Sequence, residues 1–214
     1  MIFPFAIIAA YLLGSIPFGL LIARAHGKDL RSIGSGNIGA TNVARALGRK
    51  WAYVCFALDV LKGAVPMLAT LPLTTQSQAG KAVILWLWLA VGCAAILGHI
   101  FPIYLKFKGG KGVSTSFGLA LGLWPYFTIS ALFAIAIWVV VVLIGRYVSL
   151  ASITASIAFP LVLIVSIILA PSWDFAGLWP LLIAACAIPL MVIIRHRENI
   201  KRLIAGTESK ITSR

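Results

Sequence analysis

Two glycine-rich segments hold the side chains in this sequence best suited to chemistry. The first is Ser35-Gly36-Asn37-Ile38-Gly39-Ala40-Thr41-Asn42, with Arg45 one turn beyond Thr41; the second is Lys106-Phe107-Lys108-Gly109-Gly110-Lys111-Gly112. Glycine lets successive backbone N–H groups converge, and such a nest beside Lys or Arg holds phosphate. In the first segment Ser35, Asn37, Thr41 and Asn42 supply polar side chains, and Gly36 and Gly39 supply amides. A helix starting near Thr41 or Asn42 would turn its positive end toward a bound anion. The bland alternative is a solvated loop with an Asn or Ser helix cap.

The second segment runs into Val113-Ser114-Thr115, another helix start. It lacks the glycine spacing of a Walker A loop, and Gly112 follows its Gly-Lys pair, which excludes that kind of ATPase. A basic anchor for lipid headgroups is the competing reading, but an anchor needs no glycines. Arg146-Tyr147-Val148-Ser149 reads either as part of the same site or as an interface anchor. In the tail, His196 and Asn199 stand three residues apart and share a helix face, with Glu208 and Lys210 further on. That tail either folds over a cavity or forms a plain basic surface helix.

Asp59 and Lys62 lie inside an apolar run at a spacing that allows them to pair, which lowers the cost of burial. His26 reads as a loop residue, while His99, just ahead of Phe101-Pro102, is placed to reach the second glycine segment. No His is followed five positions later by a carboxylate, so a His-x4-Asp acyltransferase centre is missing. The five carboxylates have no metal-ligand spacing, and no cofactor is expected. Cys55, Cys93 and Cys186 all fall in apolar runs and read as packing residues.

The elements that must position these groups are membrane helices. Of the 214 residues, 61% are hydrophobic, and about 20 apolar residues suffice to cross a hydrocarbon layer. Apolar segments run over about 2–23, 51–71, 83–103, 113–145, 149–170 and 177–194. The fourth is too long for one simple span, and Gly122-Leu123-Trp124-Pro125 breaks it. Lys and Arg gather at 24–50, 106–111, 146 and 195–214, together 16 of the 18 basic residues. All four stretches share one side only if 113–145 is a hairpin. The expected fold is therefore an all-α membrane protein with one bundle of seven transmembrane helices and a single domain over 1–214. Its N-terminus lies outside and its C-terminus in the cytoplasm, with short kinked helices around a cytoplasm-facing site. The net charge of +13 sits at span ends, where lipid headgroups and phosphorylated substrates are nearer partners than nucleic acid.

These motifs, with Gly14-Ser15-Ile16-Pro17-Phe18-Gly19, Lys62-Gly63 and Gly98-His99-Ile100-Phe101-Pro102, resemble the bacterial acyl-phosphate-dependent glycerol-3-phosphate acyltransferases almost end to end. The resemblance implies an enzyme of the bacterial inner membrane that moves a fatty acyl group from acyl phosphate to the 1-hydroxyl of sn-glycerol 3-phosphate. The products are lysophosphatidate and inorganic phosphate. On this reading Ser35, Asn37, Thr41, Asn42 and Arg45, with Gly36 and Gly39, take the acyl-phosphate head. Lys106, Lys108, Lys111, Ser149, His196 and Asn199 hold glycerol 3-phosphate and the leaving phosphate; Gly109, Gly110, Gly112, Arg146 and Glu208 complete the substrate-binding set, and which loop takes which phosphate stays open. His196, Asn199, Ser149, Arg45 and Lys106 form the catalytic set. His196, Glu208 or a substrate phosphate oxygen takes the proton, and with no activated nucleophile evident the attack is direct. Partners are the two substrates and the bilayer; transient contact with fatty-acid synthesis or acyl-phosphate-forming enzymes and the oligomeric state stay open. A membrane transporter of phosphate esters is the rival reading, although no two halves look alike.

Overall fold

The computed structural model describes residues 2–211, which are helical throughout apart from loops and one 3₁₀ turn. The helices are α1 (Ile2–Gly14), α2 (Phe18–Ala25), α3 (Ala40–Leu47), α4 (Arg49–Gln76), α5 (Lys81–Ile100), α6 (Val113–Gly122), α7 (Thr128–Gly145), α8 (Val148–Leu169), α9 (Phe175–Arg195) and α10 (Arg197–Ile204), with the 3₁₀ turn at Ile103–Leu105. Six stretches are long and apolar enough to cross a membrane, namely α1–α2 together, α4, α5 with the 3₁₀ turn, α7, α8 and α9. α6 is apolar but shorter.

The expected break in the fourth apolar segment is present: α6 stops at Gly122 and α7 begins at Thr128, with a cis Trp124–Pro125 bond between them. The first segment differs from expectation. The apolar run over 2–23 is long enough for one continuous helix, whereas α1 ends at Gly14 and α2 opens at Phe18 with Pro17 as its N-cap. A proline pushes its predecessor out of the helical region, so the chain must leave the helix before resuming it. Pro66, Pro160 and Pro189, by contrast, sit inside continuous helices.

The fold divides into two compact units. The first runs through Ala79 and adds Trp86–Gly122; the second takes Gly80–Leu85 and Leu123 onward. In the first unit α4 and α6 approach so closely that a methyl group on Gly63 would collide with the Thr115 carbonyl oxygen, and one on Gly118 with that of Val60. Lipid offers apolar side chains no reason to prefer each other, so small residues that bring backbones together supply much of the packing. Outside the spans, Leu30 and Ile38 of the loop before α3 are buried with Leu20, Ala23, Val43 and Cys55. Each side chain so removed from water contributes about 1.5–3 kcal/mol and fastens that loop to α2 and α4.

In the second unit α7 packs on α8 and α8 on α9. The Trp138 indole N–H donates to Ser152 Oγ at 3.2 Å, and Phe127 meets Phe159 edge-on at 5.1 Å. Leu143 and Ile144 are 73% and 81% exposed, as lipid-facing side chains should be. α9 is capped by Asp174, whose carboxylate accepts the Gly177 N–H.

The α4–α6 contact gives a first prediction. Gly63→Val should lower the thermal unfolding midpoint in detergent, at a cost of about 1–3 kcal/mol from overpacking. Gly80→Ala, where an added methyl meets nothing within 4 Å, should leave the midpoint unchanged.

Candidate active site

The first glycine loop is organised by Asn42. This residue is 1% exposed and sits in the first turn of α3, and its Nδ2 donates to the carbonyls of Leu30 (2.9 Å), Ile33 (3.0 Å) and Asn37 (2.9 Å). Two N–H bonds thus serve three acceptors, one of them shared. Asn42 Oδ1 accepts from the Ser35 amide at 3.1 Å, and Asn37 Oδ1 accepts from the Gly39 amide at 2.9 Å. Gly36 turns the chain at φ +65°, a conformation that L side chains rarely adopt. Gly39 is the N-cap of α3, so the helix starts where the sequence placed it. Arg45 lies alongside this loop, against Gly34; its side chain and that of Ser35 are exposed, and Thr41 is half-buried.

The second loop is tied back to α5. The Gly109 amide donates to the Ile100 carbonyl at 3.1 Å and the Gly110 amide to that of His99 at 3.0 Å. Lys106 and Phe107 both hold positive φ, of 52° and 62°, which carries the chain from the 3₁₀ turn into the loop. Lys106 and Lys108 are exposed, Lys111 is half-buried and Gly112 is buried. The Ser116 amide donates to the Gly112 carbonyl, so α6 begins as the loop ends. A helix leaves its first-turn amides, here those of Val113, Ser114 and Thr115, without an intrahelical acceptor.

This geometry corrects the expectation of glycine amides turned toward an anion. The amides of Gly36, Gly39, Gly109 and Gly110 donate to Ile33, Asn37, Ile100 and His99 respectively. At these four positions glycine serves the turn or the close approach. The sequence reading also missed Arg31. Its Nη2 donates to the Lys108 carbonyl at 2.9 Å and so joins the two loops directly. A contact to a backbone atom 77 residues away leaves no spacing signal.

In the second unit the polar residues converge on one carboxylate. Glu208, whose side chain is 6% exposed, accepts from Ser149 Oγ (2.7 Å), Asn199 Nδ2 (2.6 Å) and Arg202 Nε (2.7 Å). The segment after α10 is held as a strap: the Thr207 and Glu208 amides donate to the Arg202 carbonyl, and the Ile211 amide to that of Arg146. Lys210 lies 5.4 Å over the Tyr147 ring. Arg146 itself is exposed, in a left-handed turn between α7 and α8. Burial pushes the Glu208 carboxyl up, but its hydrogen bonds from Ser149, Asn199 and Arg202 and the Arg202 charge outweigh burial and hold it below the usual range. It is therefore a weak base. His196, 3% exposed, directs Nδ1 at the Val192 carbonyl at 2.8 Å. A carbonyl only accepts, so Nδ1 carries a proton.

Fold and site together define a multi-pass helical membrane protein with two cation-bearing loops in its first unit. Its sequence matches the family model described as glycerol-3-phosphate acyltransferase over residues 4–206, and the chain belongs to that family. A glycerol-3-phosphate acyltransferase of Aquifex aeolicus is 45% identical, with 96% of this chain and 97% of that one aligned. One of Geotalea daltonii is 46% identical over 95% and 94%. Among solved structures, the crystal structure of PlsY (YgiH), an integral membrane glycerol 3-phosphate acyltransferase, in its glycerol 3-phosphate form has a TM-score of 0.83. It is 42% identical, with 99% of this chain and 96% of that one covered. Its lysophosphatidic acid form gives 0.81 at 41% identity over the same shares.

Two predictions follow from the hubs. Asn42→Ala leaves loop carbonyls without donors and should cost at least about 2 kcal/mol, read as a lower unfolding midpoint and faster hydrogen exchange in the loop. For Glu208 the folded pKa lies below the ordinary 4.5, so the stability it contributes is complete above pH 4.5 and fades as pH falls through the folded value. The midpoint of the wild type should drop on acidification below 4.5, and Glu208→Gln should flatten that part of the curve.

Proposed function

We propose that this chain transfers a fatty acyl group from acyl phosphate to the 1-hydroxyl of sn-glycerol 3-phosphate, releasing lysophosphatidate and inorganic phosphate. The observation that carries the reading is the match, along nearly the full chain, to an acyltransferase solved with glycerol 3-phosphate and again with lysophosphatidic acid, an acceptor and its acylated product. An acyl-phosphate donor suits the residues: it is a mixed anhydride with a good leaving group, and it needs positioning and charge neutralisation more than a protein nucleophile.

Arg45, Lys106, Lys108 and Lys111, with the α6 first-turn amides, neutralise the phosphates. Ser35, Asn37 and Thr41 line the first loop, and Asn42 builds it. Ser149, Asn199 and Arg146 belong to the strap organised by Glu208, which holds them as a unit. The glycerol hydroxyl oxygen attacks the acyl carbon, the bond from that carbon to the phosphate oxygen breaks, and phosphate leaves with the electron pair. Ser149 is not an activated nucleophile, because its hydroxyl partner is a carboxylate of lowered basicity. His196 or a substrate phosphate oxygen takes the hydroxyl proton; Glu208, with its lowered basicity, is too weak a base for the task.

The whole chain acts as one acyltransferase domain in a bacterial inner membrane. Counting α1–α2 as one crossing and α6 as another gives seven, with the N-terminus outside and the catalytic groups on the cytoplasmic face.

Purified protein in detergent, given acyl phosphate and glycerol 3-phosphate, should yield lysophosphatidate and phosphate, and acyl thioesters should give neither. A carrier of phosphate esters would produce no lysophosphatidate. His196→Ala should lower kcat by about a hundredfold at saturating substrate, within the usual range for a lost acid–base group. Near-normal turnover would move the proton to a substrate phosphate oxygen.

A further inference from the structure

The roles assigned above leave unused a buried ionic cluster in the apolar part of the first unit. Asp59 and Lys62 of α4 are each 2% exposed, and His99 at the end of α5 is 4% exposed. Asp59 Oδ1 lies 2.8 Å from Lys62 Nζ and 3.7 Å from His99 Nδ1, and Cys55 Sγ is 3.8 Å from Asp59 Oδ2. Ionisable groups at membrane depth are costly and persist where they have a partner and a task. Asp59 and Lys62 alone would settle the matter of charge, and the cluster extends beyond them.

Its two ends touch the irregular backbone of this unit. Lys62 Nζ donates to the carbonyl of Ile16, in the break between α1 and α2, at 3.1 Å. At the other end the His99 imidazole lies directly beneath Gly110: a methyl group on Gly110 would strike the ring at Nε2, with Cδ2 and Cε1 each 2.9 Å away. His99 also accepts the Gly110 amide through its own carbonyl, at 3.0 Å. One residue therefore meets the second loop twice, by backbone and by ring, and the ring is the part that faces Asp59 at 3.7 Å.

We infer that His99, aimed by Asp59 and Lys62, is a positioning residue for the second glycine loop, the floor on which Gly110 rests and which sets where Lys108 and Lys111 stand for a substrate phosphate. The substrate is that of the proposed acyl transfer, on which this inference rests. His99 touches no reacting atom; it acts through the loop. Removing the ring lets the loop sink, and adding bulk at Gly110 lifts it, so the two changes should compensate when made together.

The test is a double-mutant cycle of His99→Ala and Gly110→Ala in the full chain in detergent, with Asp59→Asn beside it. It is read as kcat, as KM for each substrate, and as the affinity for glycerol 3-phosphate from ligand-induced thermal stabilisation. Gly110→Ala alone should raise one phosphate-substrate KM by about tenfold, but by less than about threefold in the His99→Ala background, with kcat changing little. Asp59→Asn should raise the same KM. If His99→Ala does not fold, His99→Asn, which also removes the ring, takes its place in the cycle. Additive effects of the two substitutions, or an unchanged KM in the His99 variant, would overturn the inference. A wild type that neither binds glycerol 3-phosphate nor makes lysophosphatidate overturns the functional reading and this inference together, whereas failure of the positioning role alone shows only in the variants.

Discussion

Every backbone group in an irregular segment at or near a bilayer needs a partner inside the protein, and this requirement governs the structure. Regular helix satisfies it without help. The loops and the strap do not, and each has recruited a buried group to the purpose. Asn42 gathers three carbonyls and an amide of the first loop. The last carbonyls of α5 receive the amides of the second. The strap's amides go to the Arg202 and Arg146 carbonyls, while Glu208 collects side-chain donors from α8 and α10. The loops before α3 and α6 are thus fixed shapes on which exposed cations are mounted. Arg31 joins them, so a shift in one is felt in the other.

A second constraint is charge. The chain carries 18 Lys and Arg residues against five carboxylates, and each of those carboxylates is already engaged within the protein. Asp29 accepts from the Arg31 amide, Asp59 pairs with Lys62, Asp174 caps α9, Glu198 faces Arg197 and Lys201, and Glu208 holds the strap. The surplus positive charge can be matched only by anions that the chain does not contain. Headgroups answer for the cations at span ends. They do not explain why three lysines stand within six residues on a loop whose shape is fixed by glycine contacts, whereas the phosphorylated substrate of the proposed reaction would.

Much of the fold was legible because lipid imposes a coarse rule, long apolar runs flanked by cations, and the break at Gly122–Pro125 carries its own turn chemistry. The break at Ser15–Pro17 leaves no such mark, since apolar residues flank it on both sides and composition does not change across it. The site residues were legible by type and less so by task. Asn42 has the side chain of a ligand-binding residue, yet its amide is wholly occupied by backbone within 12 positions of it. Glu208 reads as a candidate base until three donors are found on it. The glycines pointed to phosphate through their amides, while the structure uses them for turns and close approach. A sequence shows which groups can donate, not which acceptor is nearest.

That last difference bears on the chemistry proposed for this chain. A nest of fixed amides fits one anion geometry closely. Exposed Arg and Lys side chains on a rigid loop instead offer charge with adaptable direction, Lys as a point charge and Arg as a planar fork. Acyl transfer between phosphorylated molecules needs such tolerance: the donor phosphate becomes free phosphate during the reaction, and the acceptor keeps its phosphate while its hydroxyl is consumed. Binding that was equally tight to every one of these species would slow product release without lowering the barrier. A hydrogen-bonded frame that carries long cationic side chains separates the two demands. The frame sets where the reactants meet, and the side chains follow the charge as it moves.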